Sequence, residues 1–253
     1  MLAFQAISHG SFPLGVSPPG QGLGNRMHTL TRRLLVVGAH GDDETLGAGG
    51  TIARLADEGV TVSLCILTND DGSRSAAGAE VTNRTDAIEL AAKTLGIERV
   101  RVHEFGDNRL DTVSHLELNQ VVEREVREFE PDTVFATSMC DLSTDHALVS
   151  RAARVAGRPG KGPVREVRTF EIRSATDVGE ASGLPVTFRP NCWQLLEESH
   201  LERKIEALRA YGKELEPWPN PRSERGVRAL AEYRGSQVSA GLAEAFEIVR
   251  SVR

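Results

Sequence analysis

His40, Asp42, Asp43 and Glu44 follow directly on the apolar run "LLVVGA", residues 34 to 39. Uncompensated charge is costly to bury, so acids at the lip of a buried strand call for a positive partner. A histidine and a carboxylate three residues apart in a tight strand-to-helix turn can aim at one point. His146, beyond a later strand-like run, can complete a three-ligand set from His and Asp. Catalytic zinc takes such a set and keeps one position for water. The expected cofactor is therefore one Zn2+ per chain, and other divalent ions stay open because affinity order alone does not choose among them. A competing explanation has Asp42, Asp43 and Glu44 capping the first helix, where acids favour the dipole. His146 alone would read as an ordinary structural histidine. A third reading takes "GAHGDDETLGAGG" as a glycine-rich dinucleotide loop. There, however, three carboxylates occupy the ground where backbone N–H groups should meet phosphate. Gly47, Gly49 and Gly50 fit better as sites where the first helix packs closely on the sheet.

These residues need a scaffold, and the chain supplies alternating patterns for one. Strand-like runs "RLLVVGA", "TVSLCILT", "VRVHEF" and "PDTVFATS" alternate with helical patterns in "TIARLADEG", "RTDAIELAAKTLG", "LNQVVEREVREF" and "HALVSRAARVAG". Such alternation predicts an α/β fold: a doubly wound, mostly parallel, Rossmann-like sheet with helices on both faces. Beyond Pro159 the pattern predicts a C-terminal α+β extension. In it, "VREVRTFEIRSATD" is a strand leaving the core, "ESHLERKIEALRAYGKEL" an amphipathic helix and "SAGLAEAFEIVRSV" a final helix. Residues 1–26, dense in Gly and Pro, read as a disordered extension, with Met27 as an alternative start. Residues 27–253 form one domain, with a core at 33–160 and a substrate-shaping part at 161–253. Ligands of open α/β sheets bind beyond the carboxyl ends of the strands. That rule gathers His40–Glu44, Thr68–Arg74, Gly106–Asp111 and Asp141–His146 around one cleft.

Composition narrows the partners. The formal net charge of −6 over 253 residues argues against nucleic acid, whose phosphates want a basic surface, and favours a small molecule. Cys65, Cys140 and Cys192 are odd in number and lack CxxC spacing, which argues against a disulfide framework and fits a reducing cytoplasm. No apolar run reaches the roughly 18 to 20 residues of a membrane span. A homo-oligomer remains open.

The stretch "AHGDDETLGAGGTIARLADEG" resembles the AHPDDE signature of the LmbE/PIG-L N-acetylglucosaminyl deacetylases. "NRTDAIELAAKTLGI", "FGDNRLD" and "DLSTDHALVSRAA" are similar to further motifs of that family. The resemblance runs from Leu34 to about Ala156, and more loosely to the end. The tail "PWPNPRSERGVRALAEYRGSQVSAGLAEAFEIVR" resembles a bacterial subgroup with an HPRS element. What the resemblance implies is a zinc-dependent hydrolase that removes an acetyl group from the amide of an N-acetyl aminosugar conjugate. His40, Asp43 and His146 would bind the metal and Asp42 would be the general base. Arg84 would contact the sugar or hold the loop near it, and Asp107 would bind a hydroxyl. Asp141 and Arg222 complete the expected substrate contacts. Two other readings stay open: a catalytically weakened sugar- or nucleotide-sugar-binding relative, and a deacylase of a non-sugar amide in a biosynthetic pathway.

Two departures matter. Gly41 stands where the family has proline, which removes a φ restraint from the turn. Ser143 stands where many members have a histidine thought to stabilise the oxyanion or protonate the leaving amine. Its loss predicts that Asp42 serves as base and then as acid, with His103 the alternative acid. Asp145 is expected to orient His146 through its other ring nitrogen. Trp193 and Trp218 are candidates for stacking on a sugar ring, with core packing the simpler use of Trp193.

Overall fold

The computed structural model describes residues 31–69, 84–181, 183 and 187–252. The expected N-terminal extension with Met27 lies outside them, as does the loop after the second strand from residue 70 onward.

β1 (Arg33–Gly38), β2 (Thr61–Asn69), β3 (Arg99–Gly106), β4 (Thr133–Thr137) and β5 (Glu166–Phe170) run parallel. β6 (Cys192–Leu195) and β7 (Ala243–Ser251) complete a seven-stranded sheet in the order β3-β2-β1-β4-β5-β7-β6. β1 shows why the central runs are apolar throughout. Leu34 and Val36 enter one core with α1 (Asp43–Asp57), α2 (Arg84–Leu95), α6 (Glu198–Ala210) and α7 (Glu224–Ser236). Leu35 and Val37 enter a second core with α3 (His115–Phe129) and α4 (Thr144–Ala156) on the opposite face. A strand covered on both sides has no polar face to show.

The strand order reverses between β1 and β4, which is where a doubly wound sheet opens a crevice. α1 lies close to the sheet because Gly47 has no side chain: a Cβ there would stand 2.0 Å from the Phe170 ring.

The C-terminal part departs from expectation in three ways. The fifth strand does not leave the core, since β5 pairs with β4 on one side and β7 on the other. "AEAFEIVRS" is not a final helix but β7, antiparallel to both β5 and β6. Its alanines and glutamates favour helix, but a strand inserted between two others satisfies both backbone edges, and tertiary pairing overrides propensity. The last helix is instead α7, started by Ser223, whose hydroxyl accepts the Gly226 N–H at 3.0 Å. A short helix, α5 (Thr176–Ala181), follows β5. Among the described residues, no helix is long and apolar enough to cross a membrane.

Candidate metal centre

The turn from β1 into α1 is fixed by its own backbone. The Asp42 and Asp43 N–H groups point to the His40 carbonyl at 3.1 and 3.4 Å, and the Thr68 hydroxyl donates to the Ala39 carbonyl at 2.7 Å. Gly41 is required here by a close approach. A Cβ would lie 2.5 Å from both Cδ1 and Cγ1 of Ile88 in α2, so the turn packs closely on α2 at this position.

Asp43 anchors the turn by accepting the Ala39 and His40 N–H groups on Oδ2 at 2.8 and 2.9 Å. Its other oxygen faces the two histidines: Asp43 Oδ1 lies 3.1 Å from His146 Nε2 and 3.7 Å from His40 Nδ1, and those two nitrogens are 3.1 Å apart. All three side chains are buried. Ligands bonded to zinc at roughly 2.0–2.1 Å in a tetrahedron stand about 3.3 Å apart, so the triangle has the right size.

The second nitrogen of each ring explains why the triangle wants a cation. His146 Nδ1 lies 3.0 Å from Asp141 Oδ2, and His40 Nε2 lies 3.0 Å from Asp107 Oδ1 and 3.3 Å from Asp145 Oδ2. A proton on the outer nitrogen of each ring would face its carboxylate and would leave a lone pair on the inner nitrogen. In those neutral tautomers two lone pairs and a carboxylate oxygen would converge on one point, the arrangement a cation takes. Two nitrogens 3.1 Å apart cannot both be protonated toward each other, so protons do not relieve the whole conflict. The electrostatics point the same way. Burial alone would lower the pKa of His40, yet hydrogen bonds to Asp107, Asp145 and Asp43 push it up to about 12. His146 rises to about 9 against burial, through Asp43 and Asp141. Asp43 is held well below the carboxylate range by His146 and His40 despite its burial. The residues therefore fit a divalent cation held by His40 Nδ1, Asp43 Oδ1 and His146 Nε2.

Asp42 takes no part in this triangle. It is 2 % exposed, and its Oδ2 accepts from Arg222 Nη1 at 2.9 Å while Oδ1 lies 4.0 Å from Arg84 Nη2. Burial and the adjoining Asp43 raise its pKa, and Arg222 and Arg84 oppose them. Glu44 turns the other way, accepting from the Tyr211 hydroxyl at 2.7 Å, and burial pushes its carboxyl up to about 7.

The structure places the other expected site residues as follows. Asp145 does not orient His146; it faces His40 and accepts the Leu110 N–H at 3.2 Å. The cause is helical phase, because neighbours at the start of α4 point roughly 100° apart. Asp141, expected on the substrate, supports His146 and accepts from the Thr176 hydroxyl at 3.0 Å. Asp107, expected on a substrate hydroxyl, faces His40. Arg222, expected as a substrate contact, engages Asp42. Ser143 caps α4, its hydroxyl accepting the His146 N–H at 3.4 Å. His103 is not brought to the cluster: it lies 3.4 Å from Glu125 of α3. Trp193 donates to Gln237 at 3.2 Å, and Trp218 is exposed beneath Arg225, so their partners lie outside the cluster. Sequence reasoning missed Ser174, Thr176 and Glu214. The strand-end rule, applied to β5, would have found the first two.

Residues 35–157 match the family described as PIG-L, GlcNAc-PI de-N-acetylase. The protein named uncharacterized deacetylase YaiS from Escherichia coli K12 is 25% identical over 186 residues, covering 70% of this chain and 89% of that protein. The diacetylchitobiose deacetylase of Thermococcus kodakarensis is 25% identical over 239 residues, covering 87% of this chain and 84% of its own length. The fold also matches GalB, the 4-carboxy-2-hydroxymuconate hydratase from Pseudomonas putida KT2440, with a TM-score of 0.69 at 22% identity over 88% of this chain and 98% of that one. That protein's name belongs to another reaction class, so the fold alone does not fix the chemistry.

Proposed function

We propose that this chain, whose residues 35–157 match the PIG-L family of de-N-acetylases, is an amide-hydrolysing N-deacetylase that removes the acetyl group from an N-acetyl aminosugar conjugate with zinc as its metal. The observation that carries this reading is the convergence of His40 Nδ1, Asp43 Oδ1 and His146 Nε2 beside a carboxylate that stays out of the triangle. The diacetylchitobiose deacetylase relative supports a sugar amide as the substrate class.

When bound, such a cation supplies Lewis acidity, acidifying water and polarising the amide carbonyl. His40, Asp43 and His146 hold it, and Asp107, Asp145 and Asp141 keep the two rings in the tautomers that face it. Asp42 accepts the proton of the attacking water. Oδ2 is engaged by Arg222 at 2.9 Å, and Oδ1, at the longer distance of 4.0 Å from Arg84 Nη2, is the oxygen assigned to carry the proton. With Ser143 committed to the helix cap and His103 on Glu125, Asp42 then returns that proton to the departing amine. Acetate and a free amine are the products.

The test is release of primary amine from a panel of N-acetylglucosamine derivatives by the purified chain, with chelator and after zinc is restored. Turnover that chelator removes and zinc restores is expected on at least one member. A chain that binds one zinc yet turns over none of them would contradict the sugar substrate, and chelator-insensitive turnover would contradict the metal.

A further inference from the structure

Arg222 stands beside the site and comes from outside residues 35–157. Its Nη1 donates to Asp42 Oδ2 at 2.9 Å and to Glu214 Oε2 at 3.0 Å, and its Nε donates to Ser174 Oγ at 2.7 Å. Its own backbone N–H is fixed on Asn220 Oδ1 at 2.8 Å. Ser174 holds its place in a left-handed conformation, φ 73°, which a non-glycine residue keeps only when its surroundings demand it. Glu214 meets a second arginine as well: its Oε1 lies 3.8 Å from Arg84 Nη1, while Arg84 Nη2 lies 4.0 Å from Asp42 Oδ1. Asp42, Arg222, Glu214 and Arg84 thus close a ring of alternating charge. Two of its members belong to the family-matched core and two to the C-terminal part.

The geometry points to Arg222 and Glu214 as positioning residues that fix the side chain of Asp42 for the hydrolytic step, so that the C-terminal part completes the catalytic centre. Neither residue needs to touch the substrate. Arg222 holds one carboxylate oxygen and so sets which way the other faces. Glu214 fixes both arginines on either side of Asp42. A fork of five donors on a planar group suits this task, and a lysine could not reproduce it. The inference rests on the reading of Asp42 as the proton acceptor.

The test uses the zinc-loaded full chain and the most active substrate of the amine-release panel. Glu214→Gln and Arg222→Ala are each expected to lower kcat by roughly 10- to 100-fold, the effect of a misplaced reacting group, with KM changed less than about threefold. Zinc content and Tm should stay at wild-type values, Glu214→Asp should recover part of the rate, and the double variant should lose no more than the worse single one. Added guanidinium should restore kcat to Arg222→Ala and leave Arg222→Lys unmoved, which a structural role would not produce. Should Glu214→Gln fail to fold, guanidinium rescue decides alone. Wild-type kcat in both variants, or loss that follows Tm without rescue, overturns the inference. Asp42→Asn separates the two failures. If it retains turnover, the proton-acceptor reading falls and this inference with it. If it is inactive while Arg222→Ala is fully active, only the positioning role is lost.

Discussion

Two clusters flank the turn at residues 40–44, and both gather buried carboxylates. On one side Asp43, Asp107, Asp141 and Asp145 surround two imidazoles whose inner nitrogens face each other. On the other, Asp42 and Glu214 are met by Arg222 and Arg84. The second cluster brings its own cations, and the first leaves a cation's place for something the chain does not encode. That contrast separates neighbouring acids by task. In the proposed mechanism Asp43, held on one oxygen by two backbone N–H groups, is the ligand, and Asp42, engaged by Arg222, is the group that moves a proton. A third pair marks the background. Lys204 and Glu244 meet at 2.6 Å, and Glu244 also accepts the Gly50 and Thr51 N–H groups at 3.0 and 2.7 Å, tying α6 and β7 to α1. Its donors and acceptors are matched, so it calls for no ligand.

The contrast can be broken at each of these places. The largest effect is expected at the structural pair: Lys204→Met leaves Glu244 buried without its partner and should cost about 3–5 kcal/mol. A lowered Tm with kcat and zinc content unchanged would show it in denaturation and turnover assays. Asp141→Asn should weaken zinc binding about 10- to 100-fold, as loss of a carboxylate behind a ligating histidine does. Competition with a chelator of known affinity measures this, and the same substitution at Glu214 should leave the affinity unchanged. Acidity sharpens the contrast further. A metal ion held by His146 Nε2 must displace the proton that the metal-free chain keeps on His146 up to about pH 9. Apparent affinity should therefore fall by about tenfold per pH unit below that value for each proton displaced, and calorimetry in buffers of different ionisation enthalpy should record proton release. The sign reverses for the metal-free chain. A histidine raised from 6.5 to about 9 contributes stability below pH 6.5 that is lost as pH rises through 9, so zinc should stabilise most at alkaline pH. The smallest effect is expected at His103, where His103→Ala should change kcat by less than about twofold; a loss as large as that of Arg222→Ala would make it the missing acid.

Much of this was legible in the sequence, and the illegible part has a common cause. The convergence of His40, Asp43 and His146 could be read because residue type and strand-end position both bring them to one point. The core of the sheet could be read because two-faced burial leaves near-continuous apolar runs such as "LLVV". The exchange of Asp141 and Asp145 could not, since it depends on the helical phase at which α4 starts. Arg222 and Asp42 are 180 residues apart, and no local pattern joins them. β7 was hidden because its composition suits a helix and only its neighbours β5 and β6 make it a strand.

The most direct measurement pairs zinc content with amine release in Asp42→Asn and Asp43→Asn. The division of labour at the turn predicts that Asp42→Asn keeps one zinc per chain and loses turnover by about 10²- to 10⁴-fold, and that Asp43→Asn loses both zinc and turnover. Turnover in zinc-loaded Asp42→Asn at the wild-type rate, or full zinc retention in Asp43→Asn, would contradict it.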